Sequence, residues 1–166
     1  MAKTAAKALK IATNHTAVAS TGHIGTPLPI NVIVKGIKTL SAKISSGSFQ
    51  RAAEAIQTTD TIPKGISRTI TLKNHKITIT AIAKGSGMIF PHMATMLCFI
   101  CTDLYITQPL FQKALKNSVD QSFNCISVDG CISTNDTVIG MANGMAGNPI
   151  ISKPSPQLDK VQKEMD

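Results

Sequence analysis

From Thr69 to Ala83 the sequence alternates apolar and polar side chains around one polar turn, and this alternation constrains the fold more than any other feature. Successive side chains of a strand point to opposite faces. Ile70 and Leu72 are therefore expected to share a face with Ile77, Ile79 and Ala81 across the turn Lys73-Asn74-His75-Lys76, as a β-hairpin. The hairpin leads through Lys84-Gly85-Ser86-Gly87 and on to Pro91, Ala94 and Thr95. Met96 to Cys101 follows as a continuously apolar run of the kind a strand buried on both faces presents. Glycines at 85 and 87 permit a close backbone approach, and Pro91 restricts the path to the junction. Thr95, at the mouth of the apolar run, has two readings: a β-branched residue that starts a strand, or a rigidly held nucleophile.

The remaining elements surround this centre. Ala5, Ala8, Leu9 and Ala12 recur at helical spacing in the first residues, and Thr16 to Ser20 reads as a short strand. Two glycines and two prolines make residues 21–29 a defined loop. Helices are expected from about Asn31 to Ile44 and from about Ser48 to Ile56, the second with Phe49, Ala52, Ala53 and Ile56 on one face and a break at Gly47. A helix opening near Pro109 carries Leu110, Ala114, Leu115 and Val119, Cys125 to Asp129 is strand-like, and Thr137 to Ala142 is apolar. Ser155-Pro156 supplies an N-cap and first-turn proline for a helix with Leu158, Val161 and Met165, which is expected to end with no partner. Strands, helices and a hairpin in mixed order give an α/β (α+β layered) chain, with residues 1–166 forming a single partial domain.

Composition excludes several classes. With 43% apolar and 16% charged residues the chain has a globular balance, and no apolar run approaches the roughly 20 residues of a membrane span. The net charge of +8 invites an anionic partner. Lysines spread through the chain, only two arginines (Arg51 and Arg68), one tyrosine and no tryptophan argue against nucleic acid. Cys98 and Cys101 have the spacing of a metal or redox pair, but on a strand residues three apart face opposite ways. Buried reduced thiols are expected and no metal site is assigned.

Acyl transfer needs a nucleophile, a base, and donors aimed at the developing oxyanion. Thr95 is the candidate nucleophile. If the Ala94–Thr95 bond were cut, the freed α-amine, with an ordinary pKa of about 7.7 to 8.0, would be its general base. Thr21-Gly22 offers a hydroxyl and an unhindered backbone N–H, the two donor types of an oxyanion hole, although such pairs are common turn residues. Lys84 could hold a substrate carboxylate as a point charge, or simply be solvated.

Ser20-Thr21-Gly22-His23-Ile24-Gly25, Thr58-Thr59-Asp60-Thr61, Lys84 through Leu97, Ser122-Phe123-Asn124 and Ser127 through Gly144, in this order, closely resemble the bifunctional ornithine acetyltransferase/glutamate N-acetyltransferase family of arginine biosynthesis. The block around Thr95 and Ser133-Thr134-Asn135-Asp136-Thr137-Val138 are the most specific parts. The resemblance implies mixed sheets packed with helices, in a DmpA/ornithine-acetyltransferase-like fold that is partial here. It implies a self-processing acyltransferase cut between Ala94 and Thr95, so that residues 1–94 belong to an α chain and 95–166 to a β chain. It implies Thr95 as nucleophile, Thr21 and Gly22 as oxyanion hole, and Thr58 or Thr59, Lys84 and Thr95 as substrate contacts. Acetyl would pass from N-acetylornithine to the threonine and then to glutamate. No cofactor is implied, though some members accept acetyl-CoA as co-substrate. The family assembles as a heterotetramer of two processed chain pairs, cytoplasmic in bacteria and in the mitochondrial matrix in fungi.

The chain also departs from the family. Members are longer at both ends, and their acidic substrate-binding residue sits in a Gly-Glu-Gly-Ala-Thr block that this chain lacks. Cys131, His23, Phe90 and His92 are unusual choices within matching blocks. Two alternatives therefore stand beside the enzyme: a catalytically incompetent fragment of it, and a basic module binding metal or nucleic acid.

Overall fold

The computed structural model describes residues 1–23, 25–44, 49–87, 96–131, 133 and 135–166. It divides into two compact units, Met1–Ser48 and Phe49–Asp166. The first holds helix α1 (Ala2–Leu9), a 3-10 turn (Thr13–His15) and helix α2 (Ile30–Ser41), with α1 packed against α2. Helix α1 stops because Lys10 turns left-handed at φ 57° and its N–H closes back on the carbonyls of Ala6 and Lys7. The buried residue of α1 is Ala6, whereas Leu9 is exposed, so the helix packs on a different stripe from the one its spacing suggested. Thr16 to Ser20 forms no strand. Charge is less evenly spread than expected, since residues 1–48 carry six lysines and no acidic residue.

The second unit holds α3 (Phe49–Ala55), β1 (Lys64–Leu72), β2 (His75–Lys84), β3 (Leu97–Thr102), α4 (Gln108–Gln121), β4 (Thr137–Ala142) and α5 (Pro156–Met165). The four strands form one mixed sheet in the order β1-β2-β3-β4. The first two pairings are antiparallel, and β3 with β4 is parallel. The hairpin stands as expected, with Ile70 opposite Ile77, but Leu72 pairs with His75. The turn is thus only Lys73-Asn74, and Lys73 takes φ 53° to make it. Strand β3 is central, and Met96, Leu97, Cys98 and Ile100 are buried as the apolar run requires, while Cys101 emerges.

One sheet face carries Ile70, Leu72, Ile77, Ile79, Cys98 and Ile100, which form a core with Leu104, Ile151 and Val161. Helix α5 contributes Val161, fully buried, and contacts both α4 and β1. Burying a side chain of that size stabilises by about 1.5 kcal/mol or more. Ser155 caps α5 by accepting from the Leu158 N–H at 3.3 Å, and the Gln162 amide donates to Ala114 O and Ser118 Oγ of α4 at 3.2 and 2.8 Å. The expectation that this helix ends without a partner is overturned. On the opposite face α3 covers one end of the hairpin. There Ala53 is fully buried, and a Cβ placed on Gly65 would lie 3.7 Å from Ala53, Ile82 and Phe49.

Two further expectations are corrected. Residues 125–129 are not a strand: Phe123–Cys125 is a 3-10 turn, and only isolated bridges occur at 128 and 129, because residues 125–130 are all exposed and have no face to bury. Among the cysteines only Cys98 is buried; Cys101, Cys125 and Cys131 are exposed and free. Cys98 and Cys101 do lie on opposite sides of β3, as strand geometry demands. Among the described residues no helix is long and apolar enough to cross a membrane.

Candidate active site

Three chain segments meet where β2 ends and β3 and β4 begin. Register fixes the place: Lys84 at the end of β2 pairs with Leu97 at the start of β3, and Leu97 pairs in parallel with Thr137 at the start of β4. Side chains alternate, so Lys84 and Leu97 share the face that carries Ile82 and α3, opposite the main core.

Lys84 is 1% exposed, a buried strand residue and not the solvated loop lysine that the glycine context allowed. Its ammonium donates to Thr58 Oγ1 at 3.1 Å. Burial pushes its pKa below the ordinary lysine value, an effect larger than the opposing pull of the Asp60 and Asp136 charges.

Asp60, on the segment after α3, organises the surrounding backbone. Its side chain is 1% exposed and accepts from Lys64 Nζ, from the Gly85 N–H at 2.8 Å and from the Thr58 N–H at 3.4 Å. Burial alone raises its pKa. The hydrogen bonds from Lys64, Gly85 and Thr58, with the Lys64 charge, more than offset this and leave it below the usual carboxylate value. Gly85 reaches Asp60 with φ 144°, a conformation that a side chain would strain. One residue further on, Ser86 Oγ hydrogen-bonds Thr59 Oγ1 at 2.6 Å. Thr58 and Thr59 thus bind successive parts of the same strand exit.

Asp136 closes the site from the β4 side. Its Oδ1 accepts the Met96 N–H at 2.7 Å, while the Thr137 N–H donates to Met96 O at 3.0 Å. Burial raises the Asp136 pKa against the lowering effect of the Met96 N–H and the Lys84 charge. A buried ammonium thus sits in the field of two carboxylates, each bonded to the backbone of a segment flanking residues 88–95.

The expected site residues fall into three groups. Thr58 and Lys84 are brought into direct contact, and Thr59 joins them through Ser86. Ala94 and Thr95 lie outside the described residues, as does the cleavage junction between them. Thr21 and Gly22 belong to the first unit. There the Thr21 Oγ1 is buried with no hydrogen-bond partner among the described residues, and a Cβ on Gly22 would stand 3.0 Å from Leu28 Cδ2. An unspent hydroxyl donor is what an oxyanion hole requires, although Thr16 Oγ1 is in the same condition. Sequence reasoning did not single out Asp60 or Asp136. The available signal was that two of only nine acidic residues sit inside the hydroxyl-rich blocks 58–61 and 133–138. Among the described residues no group of three or more His, Cys, Asp or Glu could hold a metal.

Comparison with known proteins covers the whole chain. The ArgJ family model matches residues 1–166. Arginine biosynthesis bifunctional protein ArgJ 1 of Clostridium acetobutylicum is 48% identical over 165 residues, covering 99% of this chain and 40% of that protein. The protein named arginine biosynthesis bifunctional protein ArgJ is 45% identical over 166 residues in Caldanaerobacter subterraneus, covering 100% of this chain and 41% of that protein. In Listeria monocytogenes serotype 4b it is 50% identical over 152 residues, covering 92% and 37%. The chain spans about two fifths of the length of these curated relatives. With its whole length matched, the chain belongs to the ArgJ family.

Proposed function

We propose that this chain carries the processing and acetyl-transfer core of a glutamate N-acetyltransferase/ornithine acetyltransferase, with Thr95 as nucleophile. The observation that carries the reading is the buried Lys84, bonded to Thr58 and flanked by Asp60 and Asp136, at the strand ends on either side of the Thr95 segment. Perturbed titratable groups gathered at one spot favour a catalytic site over a structural one. Membership of the ArgJ family supports the substrates.

Processing starts with attack of the Thr95 hydroxyl on the Ala94 carbonyl carbon. The C–O bond forms, the Ala94–Thr95 C–N bond breaks, and the hydroxyl proton passes to the departing α-amine. Water then hydrolyses the ester, leaving residues 1–94 with a free carboxylate and residues 95–166 with a free threonine amine. In transfer, that α-amine takes the hydroxyl proton as Thr95 attacks the acetyl carbonyl of N-acetylornithine. Ornithine leaves with a proton on its amine, and the acetyl group remains as a threonine ester. Glutamate attacks this ester through its own amine, giving N-acetylglutamate and restoring Thr95. Thr21 Oγ and the Gly22 N–H stabilise the oxyanion in both halves, while Thr58 or Thr59 and Lys84 orient the amino-acid end of the substrate. No cofactor takes part, and acetyl-CoA is a candidate second acetyl donor. The processed pairs assemble as a heterotetramer in the cytoplasm, or in the mitochondrial matrix for a fungal protein.

The test is acetyl exchange between N-acetylornithine and isotopically labelled glutamate. The reading expects any labelled N-acetylglutamate formed by the purified chain, however weakly, to be absent from Thr95→Ala. Equal exchange by the two proteins would remove Thr95 from the mechanism. A well-folded chain without exchange would favour the incompetent fragment.

A further inference from the structure

The carboxylate of Asp136 belongs to no substrate contact or acid–base role in the mechanism above, yet it is spent on one backbone group in a telling place. It accepts the N–H of Met96 at 2.7 Å, and the next residue, Thr137, donates its own N–H to Met96 O at 3.0 Å. Both polar backbone groups of Met96 are thus held from one side by two consecutive residues of the β4 approach. The approach is itself braced, since the Asn135 N–H donates to Ser133 Oγ at 3.2 Å and Thr137 Oγ1 donates to Asn135 O at 3.1 Å. The parallel register of β3 and β4 begins at the next pair, Leu97 with Thr137. An ordinary parallel ladder would satisfy the Met96 N–H with a strand carbonyl. Here a side chain replaces it, at the residue bonded covalently to Thr95.

We propose that Asp136 is a positioning residue for the nucleophile: by clamping the Met96 N–H it fixes the main chain where it leaves Thr95, and so sets the direction of the threonine hydroxyl and, after cleavage, of its amine. The proposal rests on the reading of Thr95 as a self-processing nucleophile. Its physical basis is that displacements of about 1 Å at a reacting centre cost on the order of a hundredfold in rate. A hydrogen bond to a carboxylate is shorter and stronger than one to a neutral carbonyl, which suits a clamp. The Lys84 charge offsets part of the cost of burying this carboxylate.

The test compares Asp136→Asn and Asp136→Ala with the unaltered chain, reading the rate at which intact protein splits between Ala94 and Thr95 by mass spectrometry. Asparagine keeps an oxygen acceptor for the Met96 N–H and removes the charge; alanine removes the acceptor. We expect Asn to process within roughly threefold of the unaltered rate and Ala to be slower by roughly tenfold or more. Amide exchange of Met96 gives a second reading independent of cleavage, with protection lost in Ala and kept in Asn while the Ile79 and Ile100 amides stay protected in both. Processing of Ala at the unaltered rate, with Met96 deprotected, overturns the positioning role and leaves Thr95 untouched. Equal slowing of Asn and Ala with Met96 still protected in Asn overturns it too, because charge and not the clamp would then matter. An unaltered, folded chain that never splits overturns the nucleophile reading, and the clamp falls with it.

Discussion

Replacing Lys84 tests whether the buried charge cluster exists for stability or for chemistry. The side chain is 1% exposed, so Lys84→Met keeps the volume and removes the charge, whereas Lys84→Ala also opens a cavity. In the methionine variant no partner is orphaned. Asp60 keeps the Lys64, Gly85 and Thr58 donors, Asp136 keeps the Met96 N–H, and the Thr58 hydroxyl belongs to an exposed residue that water can reach. A charged hydrogen bond of about 1.5–3 kcal/mol is lost. Against it, the cost of burying the ammonium disappears, and the direction of the Lys84 shift says that this cost exceeds the attraction of both carboxylates. Lys84→Met is therefore expected within about 1 kcal/mol of the unaltered chain, and Lys84→Ala about 2–5 kcal/mol below the methionine variant. Urea unfolding followed by circular dichroism reads both values, and the exchange assay should show activity lost in both variants. The pH dependence has a definite sign. Because the folded value lies below the unfolded 10.5, the folded state binds fewer protons as pH climbs through that window. The unaltered chain should accordingly gain stability relative to Lys84→Met up to about pH 10.5. A loss of more than about 3 kcal/mol in Lys84→Met at pH 7 would refute the reasoning, since the cluster would then be a net source of stability.

Asp60 should give the same sign in an acidic window. Its folded pKa lies below the unfolded 3.8, so its contribution is present above pH 3.8 and lost as pH falls through the folded value; Asp60→Asn should flatten the acid limb of a stability–pH profile. Gly140→Ala would put a Cβ 2.8 Å from Phe111 Cε1 and 3.2 Å from Leu115 Cδ2, and should cost about 1–3 kcal/mol in chemical denaturation, partly recovered by Phe111→Leu. A thiol reagent should label Cys101, Cys125 and Cys131 in the native chain and Cys98 only on unfolding, since burial removes access and pushes the Cys98 pKa up to about 11. Four equivalents reacting together without denaturant would contradict the placement of β3.

Periodicity made much of the fold legible. Alternation gave away β1 and β2, an unbroken apolar run marked β3, and proline-led helical spacing located α4 and α5 to within a few residues. What stayed hidden depended on long-range contacts. Thr16–Ser20 and Cys125–Asp129 carry strand-like residue types, but β-propensity reflects packing against neighbours, and these segments join no ladder among the described residues. The partner of α5 was hidden for the same reason, as Gln162 meets residues 44 and 48 positions away. At the candidate site, the blocks containing Thr58, Thr59 and Lys84 stood out by resemblance. The burial of Lys84 and the service of Asp60 and Asp136 to the backbone of Gly85 and Met96 follow from pairings across 25 and 40 residues, which no local pattern records.

The central claim, that the chain generates its own nucleophile, is tested most directly by the intact mass of the purified protein. The account predicts two fragments whose masses place the break between Ala94 and Thr95, and a single uncut species when Thr95 is replaced by alanine. A folded, unaltered chain that persists as one 17.6 kDa species would contradict it.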